Sequence, residues 1–396
     1  MKKKSLWKVL SSAALAASIL VPQVGFAEGA KPVTEENVSI NGFIDYAEMK
    51  EKLSQIEKSS NGQVQVESAG KTNQGRDIFT ARVGHGDKVV LVQSEIHGNE
   101  KTGTVALLNI LQYLGSSQSA DAKRIREELT IVAIPMMNAD GSELDRRGNV
   151  MTWEEVQEQF PQLHNAQPTW NYYTRTLQGD DYSAAPGFDV NRDFNPDLNY
   201  VPKVEDFPGN SSTPGWYITP ESQTVRDVYK SLQEEFGNVE VFLDLHHQNF
   251  YKIEGTDEDV TMSISADFVP NPSSAEGAKY SQYAENYRFD FSRQLNVALY
   301  DALQEKGNSV FTNISLYDQD LDLPGTALGS FALNGSGVVL FEVKGQTHNY
   351  GQKMKGQLVK TVETGVMGII NGVADGSVYD LNPEEYNEIP NRVPIR

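Results

Sequence analysis

Four short fragments of the chain combine residue types that could bind a metal, grip an anion or move a proton. The first is Ser94-Glu95-Ile96-His97-Gly98-Asn99-Glu100, which follows the apolar run Val89–Gln93 and precedes a helical pattern. His97 and Glu100 are three residues apart, so in a turn or a first helical turn the imidazole and the carboxylate face the same side. That is half of a zinc site; alone, the pair fits equally a helix-start Glu beside a surface His. The second fragment is Val241-Phe242-Leu243-Asp244-Leu245-His246-His247, an apolar strand that runs straight into two imidazoles. Strand alternation puts Asp244 and His246 on one face and His247 on the other. By itself this could be no more than a capped polar strand end. A catalytic zinc, however, commonly takes three protein ligands and keeps a fourth position open, and His97, Glu100 and His246 supply that count.

The third fragment is Gly187-Phe188-Asp189-Val190-Asn191-Arg192-Asp193-Phe194. A planar guanidinium beside an amide is suited to holding a carboxylate in a two-pronged grip, and Asp189 could orient a ligand imidazole from behind. A structural loop with a surface ion pair is the alternative. The fourth is Val338-Val339-Leu340-Phe341-Glu342-Val343, where one carboxylate interrupts an apolar strand. A Glu is almost never fully buried without a reason. Glu342 either pairs with a core cation or sits in a dry site as a general base with a perturbed pKa.

These residues need a scaffold. Apolar periodicity predicts helices over Tyr46–Lys58, Glu100–Leu114, Glu221–Phe236, Ala284–Glu305 and Gln352–Ile370, and strands over Ile78–Val83, Val89–Gln93, Thr130–Ile134, Val239–Leu245 and Val338–Val343. The last four strands are continuous runs of Val, Ile, Leu and Phe, the pattern of strands covered on both faces by helices. The fold class is therefore α/β, as one domain. Residues 149–186 and 255–278 are polar and aperiodic, which reads as long functional loops rather than a second domain. Residues 374–396 read as a terminal tail.

The start, Met1-Lys2-Lys3-Lys4, followed by the apolar run Ala13–Val21 and the small residues around Ala27, reads as a secretory signal over residues 1–27, cleaved after Ala27. Its apolar core falls short of the ~20 residues a membrane span needs. Residues 28–39 form a linker and 40–373 the main domain. The expectation is an exported protein without stable membrane association. Among 396 residues there are 54 Asp and Glu against 34 Lys and Arg, a net charge of −20 that repels phosphate backbones and argues against nucleic acid as a partner. With no Cys there is no thiol nucleophile, disulfide framework or thiolate metal site. No Gly-x-Ser-x-Gly elbow is present, which disfavours a serine hydrolase.

His97-Gly98-Asn99-Glu100, Asn138-Ala139-Asp140-Gly141, Asp189-Val190-Asn191-Arg192, Asp244-Leu245-His246 and Phe341-Glu342-Val343 occur in an order that resembles the zinc metallocarboxypeptidases of the carboxypeptidase A type. The resemblance covers residues 39–372. It implies a single α/β domain with a mixed, mostly parallel twisted sheet flanked by helices on both faces. It also implies one Zn2+ held by His97, Glu100 and His246, with Asp189 behind a ligand His. By the same resemblance Asn191 and Arg192 would hold the C-terminal carboxylate of a peptide, and Glu342 would be the base for metal-activated water. Tyr317 is similar to the family's mobile tyrosine. The family's oxyanion Arg matches Arg147, slightly preferred, or Arg175. Ala139 stands where the family's turn usually has Pro, and His247 where a small Ser is common, which would narrow a neighbouring subsite. The inhibitory pro-domain of some members has no counterpart, so the enzyme is expected to be made active.

The expected substrates are peptide or protein C-termini, with an apolar last residue favoured because residues 325–328 offer no acid to meet Lys or Arg. The expected state is a monomer. A second reading keeps the zinc site but cuts peptidoglycan stem peptides, and a third is a binding module without turnover. Asp318, Asp320 and Asp322 have the opening spacing of a calcium loop but lack its Gly and closing Glu.

Overall fold

Each of the continuous apolar runs forms a strand, with ends that differ from the run by up to three residues because pairing with neighbours, rather than apolarity, sets where a strand stops. The structure, a computed structural model, describes residues 43–307, 310–345, 347 and 355–395. The expected signal peptide (1–27) and linker (28–39) lie outside the described residues. The described residues begin with α1 (Tyr46–Ser59), β1 (Val64–Lys71), β2 (Asp77–Gly84), β3 (Lys88–Ser94), α2 (Thr102–Ser116), α3 (Ala120–Glu128), β4 (Leu129–Ile134) and α4 (Ala139–Glu143). It continues with α5 (Trp153–Gln159), β5 (Tyr172–Tyr173), β6 (Gly187–Phe188), α6 (Pro220–Phe236), β7 (Val241–Gln248), β8 (Tyr251–Ile253) and β9 (Met262–Ser265). The last elements are α7 (Phe289–Gln304), β10 (Ile314–Leu316), α8 (Ala327–Leu333), β11 (Gly337–Lys344), α9 (Lys355–Asp375) and β12 (Arg392–Pro394).

One eight-stranded sheet runs in the order β1-β2-β4-β3-β7-β11-β9-β10. Its centre, β4-β3-β7-β11, is parallel; β1, β2 and β9 introduce the antiparallel pairings. This is the mixed, mostly parallel sheet that the sequence resemblance implies. Alternation along the central strands sorts their side chains onto two covered faces. Val90 and Val92 of β3, Val241, Leu243 and Leu245 of β7, and Val339, Phe341 and Val343 of β11 meet the core built by α1, α2, α3, α7 and α9. Val89 and Leu91, Phe242, and Val338 and Leu340 point the other way, against α6 and α8. The same alternation carries Asp244, His246 and Glu342 onto the α6 and α8 face, at the C-terminal ends of parallel strands where ligand sites of open α/β sheets lie.

Three readings of the sequence are corrected here. Residues 255–278 are not all loop: β9 lies within them and pairs with β11 in the central sheet, all four of its residues buried. Residues 149–186 contain α5 and β5 and carry a small core of their own, in which Met151, Trp153, Val156 and Leu163 pack on Phe188 and Trp216. The segment after 373 is no loose tail, because Val378, Tyr386 and Ile389 belong to the main core. No described helix is long and apolar enough to cross a membrane.

Candidate active site

Strand β3 ends in a strained residue. Glu95 takes a left-handed conformation (φ 53°) and is fully buried, with its carboxylate bonded by the Thr104 hydroxyl. A non-Gly residue held there turns the chain away from the end of β3, at a cost that the surrounding packing must offset. The next residues form a turn closed by the Glu100 amide donating to the His97 carbonyl at 3.1 Å, which sets both side chains on one side. Helix α2 begins two residues later than the apolar pattern suggests. Gly98 is required by contact: a Cβ there would stand 2.1 Å from the carbonyl carbon of Gly141. The Asn138 side chain accepts from the Gly141 amide at 2.9 Å, so the turn works without the family's usual Pro.

His97, Glu100 and His246 converge, with ligand atoms all within 4.8 Å of one another, and all three are buried. His97 Nδ1 is 3.0 Å from Glu100 Oε1, His246 Nδ1 is 2.8 Å from Glu100 Oε2, and the two Nδ1 atoms are 3.2 Å apart. Each imidazole also meets a carboxylate on its far side: His97 Nε2 lies 3.1 Å from Asp189 Oδ1, and His246 Nε2 lies 3.0 Å from Asp244 Oδ2. An ionised carboxylate only accepts, so it fixes the hydrogen on Nε2 and turns the Nδ1 lone pairs toward each other. Two inward lone pairs and one carboxylate form a donor set that fits a dication. Among the described residues this is the one cluster able to hold a metal.

The charges agree. Burial would raise the Glu100 carboxyl, yet His97 and His246 hold it well below the usual carboxylate range. Burial also opposes charge on His246, but Asp244 and Glu100 lift it well above an ordinary imidazole. Asp189, despite its burial, is held low by Arg147 and Arg192. Glu342 is the exception: burial pushes its carboxyl up to about 8, against the pull of His246. It stands opposite His246 in the register of β11 on β7.

A cleft of about 1080 Å³ opens over this cluster, and its lining includes His97, Arg147, Asn191, Arg192, His246, Tyr317 and Glu342. Arg147 donates from Nε and Nη2 to Asp189 Oδ2 at 3.0 and 2.9 Å, and its Nη1 lies 3.2 Å from His97 Nδ1. Arg175 is exposed and does not line the cleft. Asn191 accepts from the Ala327 amide at 3.1 Å, and its Nδ2 stands 3.4 Å from His246 Nε2. The cleft lining also includes the apolar residues Phe268, Leu323 and Leu340.

His247 faces the opposite side of β7, where its Nε2 accepts from the Thr102 amide at 3.0 Å and so holds the start of α2. The aspartates 318 and 322 answer to organic partners: Asp318 to Arg392, Asp322 to Lys279 and Tyr280. Two residues of the site went unassigned in the sequence reading. Asp244 carried a signal, its place two residues before His246 on the same face. Arg392, which also lines the cleft, carried none.

The fold and the site define a metal-dependent peptide hydrolase. Residues 49–318 match the zinc carboxypeptidase family, and the chain belongs to that family, whose members depend on zinc. Similar solved structures include a carboxypeptidase A from Helicoverpa armigera (16% identity, 87% of this chain and 76% of that one covered, TM-score 0.57). Another is bovine thrombin-activatable fibrinolysis inhibitor in complex with a tick carboxypeptidase inhibitor (14% identity, 85% and 99% covered, TM-score 0.52). At such identities the likeness concerns the fold. The match ends before Glu342, whose position follows from the pairing of β11 with β7.

Proposed function

We propose that the chain is an exported zinc carboxypeptidase that removes the last residue of peptides or proteins, with Glu342 as its general base. The observation that carries this reading is the convergence of His97, Glu100 and His246 beneath a cleft that also holds Asn191, Arg192 and Glu342. A zinc ion held by His97, Glu100 and His246 supplies Lewis-acid polarisation of a carbonyl and acidification of water. Asn191 Nδ2 and the Arg192 guanidinium bind the terminal carboxylate, which confines cleavage to the last peptide bond because an internal residue offers no such anion. Arg147, oriented by Asp189, directs Nη1 toward charge that develops on the scissile carbonyl oxygen. Glu342 takes a proton from the attacking water and returns it to the leaving amine. Tyr317 covers the bound terminus. The apolar residues Phe268, Leu323 and Leu340 in the cleft lining support an apolar last residue.

Zinc analysis coupled to a panel of peptides that differ at the C-terminal residue tests the proposal, with a chelator control. One zinc per chain and chelator-sensitive release of single C-terminal residues is the expected result; activity confined to internal bonds refutes it. Export is read separately, by N-terminal sequencing of the secreted protein, which should begin at Glu28. The likeness to carboxypeptidases does not favour the cell-wall reading.

A further inference from the structure

Strand β12 reaches the cleft from the far end of the chain. It pairs antiparallel with β8, Arg392 opposite Ile253 and Pro394 opposite Tyr251. The segment before it is pinned as well: the Leu316 amide donates to the Pro390 carbonyl at 2.7 Å and the Glu254 amide to the Asn391 carbonyl at 3.0 Å. The Arg392 guanidinium then lies between two rings, 4.0 Å from the Tyr251 centroid and 3.9 Å from that of Tyr317. Its Nε and Nη2 donate to Asp318 Oδ1 at 3.3 and 3.0 Å, and its Nη1 donates to Gln248 Oε1. The side chain is only 4% exposed. One cation thus ties together the strand end that follows His246, the β8 ring and the loop that carries Tyr317.

We propose that Arg392 is a positioning residue that gathers Tyr317, Tyr251 and Gln248 into one wall of the cleft, so that substrate binding depends on the C-terminal strand. The inference rests on the carboxypeptidase reading above. A planar guanidinium stacked between rings and forked onto two acceptors has no equivalent in Lys. Without it Tyr317 keeps its backbone bond to Ile264 but loses what fixes its ring. Removing charge-assisted bonds of this kind corresponds to roughly a tenfold loss or more in binding.

The test compares Arg392→Ala, Arg392→Lys, Tyr317→Ala and the double variant Arg392→Ala/Tyr317→Ala. KM should rise about tenfold in Arg392→Ala with kcat within about twofold, while zinc content stays at the wild-type level. Arg392→Lys should fall between, and it carries the test if the Ala variant does not fold. The double variant should lose less than the sum of the two single losses, because the contact between Arg392 and Tyr317 is removed in both. An unchanged KM, or additive losses, overturns the inference. Calorimetry of peptide binding in a Glu342→Gln background separates the two proposals. Peptide bound but not cleaved by the wild type overturns the proposed function alone. Equal binding with and without Arg392 overturns this inference alone, and no binding at all overturns both.

Discussion

Asp244 stands behind His246 with no exposed surface, one oxygen 3.0 Å from His246 Nε2 and the other accepting from Gln93 Nε2 at 3.0 Å. Both neighbours present hydrogens, so the site asks for an acceptor on each side. Asp244→Asn keeps the shape and removes that symmetry. If the new amide turns its NH2 to His246, the ring must accept at Nε2, and its hydrogen moves to Nδ1, the atom that faces His97 and Glu100. If it turns its NH2 to Gln93, two donors oppose each other in a dry pocket, which costs about 1–3 kcal/mol. Either arrangement works against metal binding: the first puts a hydrogen on Nδ1, and the second sets a neutral acceptor where an anionic one stood, which makes the His246 ring a weaker ligand. Outer partners of metal-bound His contribute 10–100-fold in affinity, or about 1.4–2.7 kcal/mol, and Asp244→Asn should weaken zinc binding by about that factor. The assay is competition for zinc against a chromogenic chelator, with kcat/KM measured at rising free zinc. Activity lost at limiting zinc should return at excess. A zinc affinity equal to the wild type would refute the reasoning that Asp244 sets the His246 tautomer.

Glu342→Gln should keep zinc content while turnover falls by about 10²–10⁴-fold, read by metal analysis and steady-state kinetics on the same sample; unchanged turnover removes Glu342 from the chemistry. Arg192→Ala should raise KM for peptides with a free C-terminus and leave the slow cleavage of amidated ones unaffected, so an equal loss on both counts against the carboxylate grip. Glu221, fully buried and bonded by Asn149 Nδ2 at 2.9 Å, has its carboxyl pushed up by burial to about 7 from 4.5. Its folded pKa exceeds the unfolded one, so the folded state holds the proton more tightly and stability falls as pH rises from about 4.5 through about 7. At about 1.4 kcal/mol per pKa unit the loss is at most about 3.5 kcal/mol. Glu221→Gln should flatten that part of the Tm-versus-pH curve, and parallel curves for the two proteins would show that Glu221 does not set it.

What could be read in the sequence depended on how local each signal was. Strands β3, β7 and β11 announced themselves because both of their faces are covered, which demands a continuous apolar run, and a charged residue inside such a run is conspicuous; Asp244, His246 and Glu342 stood out for that reason. Strand β9 did not, because Met262-Ser263-Ile264-Ser265 is four residues long and its serines are satisfied by neighbours rather than by water, Ser263 through Ser315 at 2.8 Å. The choice between Arg147 and Arg175 could not be made from spacing, since both lie in irregular chain and only the contact with Asp189 separates them. Arg392 lies beyond any local signal: a basic residue four positions before the last looks like solvated tail until the pairing of β12 with β8 sets it between two rings. The metal cluster is therefore legible because strand alternation and a single turn dictate which way its side chains face, whereas the substrate-facing wall depends on long-range pairings that no short window of residues contains. Differences in substrate preference within this fold should accordingly be sought in β8, β12 and the 178–185 wall rather than in the motifs that hold the metal.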